Sequence, residues 1–506
     1  MTRATMVLFL MASHWTAVLR LAGGDARPQA KEVVAKCIDA MGGMEKLRDV
    51  KTISYHSRSH TLLRSISPSD SLPALFSYET KDVLLQPQAQ IVNEKSSSEW
   101  TESATLTISE SMITPKGGFV EREGKRTPIS ADRFYGAVDL LSANPVSALL
   151  AAADAPDVQL REEAQTYVIS LAQTVYGQKV KTRLGIDRGS YRLQWTEIQH
   201  AYPGDVYNAM WGEITKRFDF ASFVLDASGI HFPAKWKVST NGLEDGQVSL
   251  TNVKINSESV ASPELPSEFN NDFAAFLGQS ANDMARHNFN GNEHVEVGEG
   301  IAMVPGRERA YNSFVVKQEK GIVVVEAPYS NANSALVMEY AKSAYPHAPI
   351  VGVVSTDYFI FHLPGLPIYA KAGVPLYVLD ANVERVQRLL SANTEPGVSA
   401  RAAKLHVIRE RTEIGTGANR MVLLPFRGAS SAKMMAVFFP EKKFLYCSDL
   451  YLPVAWGHDF WTEHLSEIRD LIEREHLEVQ QIAGVSAPPH DWKELAAKLP
   501  VPAGNQ

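Results

Sequence analysis

The sequence predicts a two-domain chain of mixed α+β / α/β class. A helix plus a curved antiparallel β-sheet comes first, and an αββα sandwich follows. Three observations carry this prediction. Residues 51–260 hold many short alternating segments divided by turn residues. From about Val295 onward, apolar strand runs alternate with helical patterns. Between them, residues 261–294 are rich in Pro, Ser, Asn and Gln, as a linker is. The chain has 506 residues, 45% of them hydrophobic and 21% charged, enough for more than one core. Its net charge of −7 lacks the basic excess of a nucleic-acid binder, so no nucleic-acid partner is expected. Two cysteines, Cys37 and Cys447, are too few for a Cys-rich zinc module or a disulfide scaffold.

Residues 1–26 read as a secretory signal peptide. Arg3 is followed by the apolar run Met6–Ala12, and Gly24-Asp25-Ala26 supplies a small-residue cleavage site. A periplasmic or secreted location follows as an expectation. Arg20 interrupts the run before it reaches spanning length, and no other stretch is long enough, so no transmembrane span is expected in the mature chain.

Residues 27–260 form the first predicted domain. Val33, Val34, Cys37, Ile38 and Met41 lie at helical spacing over Lys31–Met41, and Gly42-Gly43 is a stop. Strands are predicted at Thr166–Leu171, Lys179–Ile186 and Tyr191–Ile198. Lys235–Val238 leads through Asn241-Gly242 to a further strand at Gln247–Ile255. The opening helix, Gly-Gly, the Leu47, Val50, Ile53 spacing and the late Phe232-Pro233 strand resemble the half-barrel of outer-membrane lipoprotein carriers. That resemblance implies a lipid or other apolar ligand.

Residues 295–506 form the second predicted domain. Strands are expected at Gly300–Val304, Ser313–Val316, Gly321–Ala327, Pro349–Ser355 and Gly373–Leu379. Helices are expected at Ser334–Ala344 and Ala381–Ser391. The unbroken apolar run Ile322–Val325 predicts a central strand covered on both faces.

The order of these blocks resembles the metallo-β-lactamase superfamily. A strand ends at Glu326-Ala327-Pro328, a helix follows, and Pro349–Thr356 leads into the segment where that family carries His-x-His-x-Asp-His. Here Asp357, Phe359, Phe361 and His362 stand at those four positions. Tyr369, Gly373 and Tyr377 match the segment that follows. Ser430 stands at the next His position, Asp449 retains the bridging Asp, and Ser486 stands at the final His. The resemblance therefore implies a hydrolase framework with a residual metal set of Asp357, His362 and Asp449. The lost-ligand positions Phe359, Phe361, Ser430 and Ser486 line the old site.

A hydrolytic zinc site needs three or four N/O donors and an open water position. Phe359 and Phe361 cannot ligate a metal, and serine hydroxyls are weak donors. The losses predict a non-catalytic binding protein without a cofactor, or with zinc or another divalent metal at low occupancy. Its partner would be a small molecule, a lipid or a protein. A divergent metal-dependent hydrolase with a reduced site, and apolar-ligand binding by the half-barrel, are the alternatives. Ser430 and Lys433 fit a Ser-x-x-Lys motif, but in a strand pattern rather than at a helix start. His458, His464 and His490 are further histidines of the C-terminal part, with surface or capping roles expected.

Overall fold

The computed structural model describes residues 29–62, 76–100, 106–205, 208–257, 265–270, 273, 277, 294–305, 311–359, 361–392, 397–451 and 462–499. The predicted signal peptide lies outside the described residues, as do most of the linker and His458.

The first domain is built on one thirteen-stranded sheet, antiparallel throughout. Its strands follow chain order in two meanders, joined where Ile53–Leu62 pairs with Leu243–Ile255. Its two edges are Lys125–Pro128 and Gln159–Glu162. The chain passes from one edge to the other through two helices, Ala131–Ala143 and Pro145–Asp154. Residues from both halves of the sheet, such as Val83, Val120, Ile169 and Leu184, share one buried core with Val34, Ile38, Phe134 and Leu149 of the helices. The sheet thus wraps around helices that occupy its inner face.

The Lys31–Met41 prediction holds, with the helix running Ala30–Met41 and its five apolar residues buried. The Asn241-Gly242 turn also holds. Both residues have positive φ, 51° and 85°, which matches the twist of the flanking strands His231–Thr240 and Leu243–Ile255. The two helices between residues 131 and 154 were not expected. Asn144-Pro145 marks the second of them. The Asn144 side chain accepts from the N–H groups of Val146 and Ser147, and Pro145 needs no N–H partner in the first turn. Together this pair is apolar enough to pass for a broken membrane span, but it is bent by 66°, and its apolar residues lie in the core. No single helix among the described residues is long and apolar enough to cross a membrane.

One charged cluster is buried in this domain. Asp139, on the Ala131–Ala143 helix, accepts from His200 Nε2 at 2.7 Å and Tyr202 Oη at 2.9 Å. Its other oxygen accepts from Lys216 Nζ at 2.6 Å. Every oxygen of the carboxylate is therefore used, as a buried charge requires.

The second domain has the αββα layers that the sequence predicts. A seven-stranded sheet runs from Val295–Gly298 to Leu405–Ile408, and a six-stranded sheet from Thr412–Ile414 to Ala487–Asp491. Alternation along each strand sorts residues into three cores. Val323, Val325, Val354, Leu423, Val437 and Tyr446 fill the space between the sheets. Ile322, Val324 and Val353 face the helices Asn331–Ala344, Leu366–Lys371 and Val383–Ala392. Val422, Ala436 and Leu445 face Thr462–Arg474 and Trp492–Ala496. Gly321–Val325 is buried at every position and pairs with Ser313–Gln318 on one side and Ile350–Ser355 on the other. Cys37 and Cys447 are both buried and free, in separate cores.

Candidate metal centre

Three chain segments meet at one end of the sandwich. Gly321–Val325 and Ile350–Ser355 are parallel neighbours, and their C-terminal ends open onto Glu326 and onto Thr356-Asp357. Ends of parallel strands are where α/β sheets place ligands. The strand Phe444–Tyr446 of the other sheet delivers the short turn Ser448–Leu450, with Asp449 inside it.

Asp357, His362 and Asp449 converge there. One donor atom from each lies within 4.8 Å of the others, close to twice a metal–ligand bond of about 2.0–2.6 Å. Asp357 and His362 have no exposed surface, and the Asp449 side chain is 14% exposed.

Each donor is held by named partners. Asp357 Oδ1 accepts from the N–H groups of Tyr358 at 2.6 Å and Phe359 at 2.9 Å. Its Oδ2 accepts from Ser448 Oγ at 3.1 Å. His362 Nδ1 faces Glu326 Oε2 at 2.9 Å. Glu326 is fixed in turn through Oε1, which accepts from the Thr356 N–H at 3.2 Å and from its hydroxyl. A carboxylate on the far nitrogen of an imidazole is the usual second support of a metal-binding His, because it sets tautomer and ring orientation.

The facing atoms are not consumed by hydrogen bonds. His362 Nε2 and Asp449 Oδ1 are buried without a hydrogen-bond partner. Nε2 stands 3.1 Å from Asp449 Oδ2, within ion-pair distance. The two groups lie side by side, with Asp357 completing the cluster. The donor set of two carboxylates and one imidazole suits a divalent ion of borderline or hard character.

Charge follows from this crowding. Burial lifts the Asp357 carboxyl to about 6, against the pull of His362, and Asp449 pushes it the same way as burial. Burial opposes charge on His362, yet Asp449, Glu326 and Asp357 together hold its imidazolium well above the ordinary histidine range.

Backbone strain gathers at the same place. Glu326, Tyr329, Tyr311 and Ser448 are non-glycine residues with φ of 72°, 64°, 54° and 54°. Such conformations cost energy and concentrate at functional sites.

The lost-ligand positions lie in different surroundings. Phe361 and the Tyr311 ring stack edge-on 5.4 Å apart, and Tyr311 meets His362 edge-on at 5.3 Å. Phe359 packs edge-on against Phe361 at 5.2 Å. Ser486 Oγ accepts from the Tyr311 N–H at 3.4 Å. Ser430 is engaged elsewhere, donating from N and Oγ to Glu467 at 3.0 and 2.8 Å. The Lys433 ammonium lies 5.4 Å from the Tyr358 ring centroid. His490 lies 3.6 Å from Glu494, away from the cluster. Glu326 is the site residue whose role the sequence reading missed. Its signal was present: an acidic residue closing an all-apolar buried strand needs a partner.

No protein-family model and no curated protein matches the chain. Several solved structures are similar to part of it. A metallo-β-lactamase from Pontibacter korlensis is 15% identical over 41% of this chain and 96% of its own, with a TM-score of 0.33. One from Hirschia baltica is 17% identical over 40% and 94%, with a TM-score of 0.31. The stereoselective inverting sec-alkylsulfatase from Pseudomonas sp. is 14% identical over 40% of each chain, also with a TM-score of 0.31, so the chain spans about two fifths of that protein's length.

Proposed function

We propose that the second domain is a divergent metal-dependent hydrolase with a reduced site, holding one divalent cation on Asp357, His362 and Asp449. The observation that carries this reading is the convergence of one donor atom each from Asp357, His362 and Asp449 within 4.8 Å, beside Asp449 Oδ1, which is buried without a hydrogen-bond partner. Three protein donors with the remaining positions open is the composition of hydrolytic metal sites. When bound, the cation would polarise an ester-type oxygen and lower the pKa of a water. The chain's own residues hold the donors in place. Glu326 orients His362, and the N–H groups of Tyr358 and Phe359 fix Asp357.

A second reading, a binding protein without turnover, draws on Phe359 and Phe361 at former ligand positions and on the capture of Ser430 by Glu467. A lipid site in the first domain is less favoured. Helices occupy the inner face of its sheet, and Lys81 lies between Glu79 at 3.2 Å and Glu94 at 3.7 Å beside the buried Ser96–Ser109 pair. Export remains part of the proposal, and N-terminal sequencing of the secreted or periplasmic fraction tests it.

The functional test is elemental analysis of purified protein, followed by assays with chromogenic aryl esters before and after chelation. Stoichiometric zinc, manganese or iron that is lost in His362→Ala, with chelator-sensitive hydrolysis, is the expected result. Metal without hydrolysis moves the assignment to the second reading. Absence of metal after growth in supplemented medium ends the one-cation reading.

A further inference from the structure

The helix Val383–Ala392 touches both the first domain and the segment that carries Asp357. Toward its C-terminal end it receives the short turn Ala209–Trp211, which lies between the first-domain strands Leu193–Ala201 and Glu213–Leu225. Met210 is buried in the same core as Val386, Leu389 and Leu390. The Arg388 guanidinium stands 5.7 Å from the Trp211 ring centroid. A Cβ added at Gly212 would come within 3.0 Å of the Ala392 carbonyl oxygen, so the turn is seated without spare room.

Near its N-terminal end the same helix carries Arg385. Arg385 donates from Nη1 to the Tyr358 carbonyl at 2.7 Å, and its guanidinium lies 5.2 Å from the Tyr358 ring centroid. Tyr358 is 2% exposed, and its N–H donates to Asp357 Oδ1. The residue is thus held from both ends: its carbonyl by the helix, its N–H by the candidate ligand. A charge-assisted hydrogen bond to a buried carbonyl is stronger than a neutral one. Its loss leaves that carbonyl without the donor it has here.

We propose that Arg385 is a positioning residue for Asp357, and that the Ala209–Trp211 turn of the first domain sets the helix that carries it. The first domain thereby tunes the candidate site of the second. The consequence for cation affinity rests on the one-cation reading, but the positioning itself does not.

The test uses amide hydrogen exchange of the metal-free, full-length chain. Exchange at Tyr358 and Phe359 is expected to rise about 10- to 100-fold in Arg385→Gln. Arg385→Lys restores part of the protection, because an ammonium still donates to the carbonyl. Trp211→Ala raises exchange at the same amides, and adding it to Arg385→Gln produces less than the product of the two effects. Protection of Gln481–Gly484 stays constant and reports that the fold is intact. Unchanged exchange at Tyr358 and Phe359 in Arg385→Gln overturns the positioning role. Unchanged exchange in Trp211→Ala overturns the link between domains. Equilibrium dialysis with Zn²⁺ is run beside it. Failure of the wild type to bind Zn²⁺ overturns the cation reading and leaves the exchange result to decide this one.

Discussion

His362 turns Nδ1 toward Glu326 Oε2 at 2.9 Å, and neither side chain has any exposed surface. The consequence is directional. With Nδ1 fixed by the carboxylate, Nε2 must face Asp449 and Asp357. Glu326→Gln keeps the shape but replaces a charged acceptor with a neutral amide. Cation affinity is expected to fall about 10- to 100-fold, the usual cost of losing an outer partner of a metal-binding His. Competition titration against a zinc-chelating dye measures it. An unchanged dissociation constant would sink the orienting role of Glu326.

Asp357 sets function against stability. Its carboxyl is lifted to about 6, chiefly by burial. The folded value lies above the unfolded one, so the linked stability is fully present below the ordinary carboxylate range. It is lost as pH rises through about 6. Asp357→Asn removes that loss while its side-chain oxygen still accepts from the Tyr358 and Phe359 N–H groups. The metal-free variant is expected to melt higher than wild type at pH 7.5, with the gap closing near pH 4. Addition of Zn²⁺ should raise the melting temperature of wild type but not of the variant. A variant that melts lower at pH 7.5 would contradict the stated origin of the shift.

The layers were more legible in the sequence than the site. Alternating strands and continuous apolar runs such as Ile322–Val325 carry their burial in their pattern, because period and face are linked. The helices Ala131–Ala143 and Pro145–Asp154 were hidden for the same reason. Pro145–Asp154 is apolar on nearly all sides and shows no clear amphipathic stripe, while Ala131–Ala143 interrupts its apolar face with the buried Asp139. Asp357, His362 and Asp449 were found through spaced blocks, and their convergence across 92 positions is a property of the fold alone. Ser430 illustrates the limit. Its alignment with a ligand position says nothing of Glu467, which reaches it from a helix 37 positions later.

The buried cluster around Asp139 gives the first domain its own acid sensitivity. Burial works against charge on Asp139, but Lys216 and His200 outweigh it and hold the carboxyl below its ordinary range. The folded value is depressed, so the stabilisation is present above the ordinary carboxylate range and is lost as pH falls through the folded value. Asp139→Ala leaves Lys216 and His200 without their shared acceptor and is expected to cost about 3 kcal/mol at pH 7. Urea midpoints from pH 2.5 to 7 check both parts. Wild type should lose stability on acidification more steeply than the variant, and parallel curves would refute the assignment.

Glu467 fastens the loop that contains Ser430 to the helix Thr462–Arg474. Its carboxylate accepts from the Ser430 N–H, the Ser430 hydroxyl and the Ser431 hydroxyl. A Cβ at Gly428 would overlap the Glu467 carboxyl group, so an alanine there would push the carboxylate away from Ser430 and Ser431. Gly428→Ala is expected to destabilise by about 1–3 kcal/mol through overpacking. Glu467→Ala is expected to cost about as much, by leaving the buried Ser431 hydroxyl without an acceptor. The two changes remove the same contact from opposite sides. The double variant should therefore lose clearly less than the sum of the single losses, which a double-mutant cycle on urea midpoints reads directly. Additive losses would mean that Gly428 and Glu467 act separately, and that the loop holding Ser430 is fastened by something other than this carboxylate.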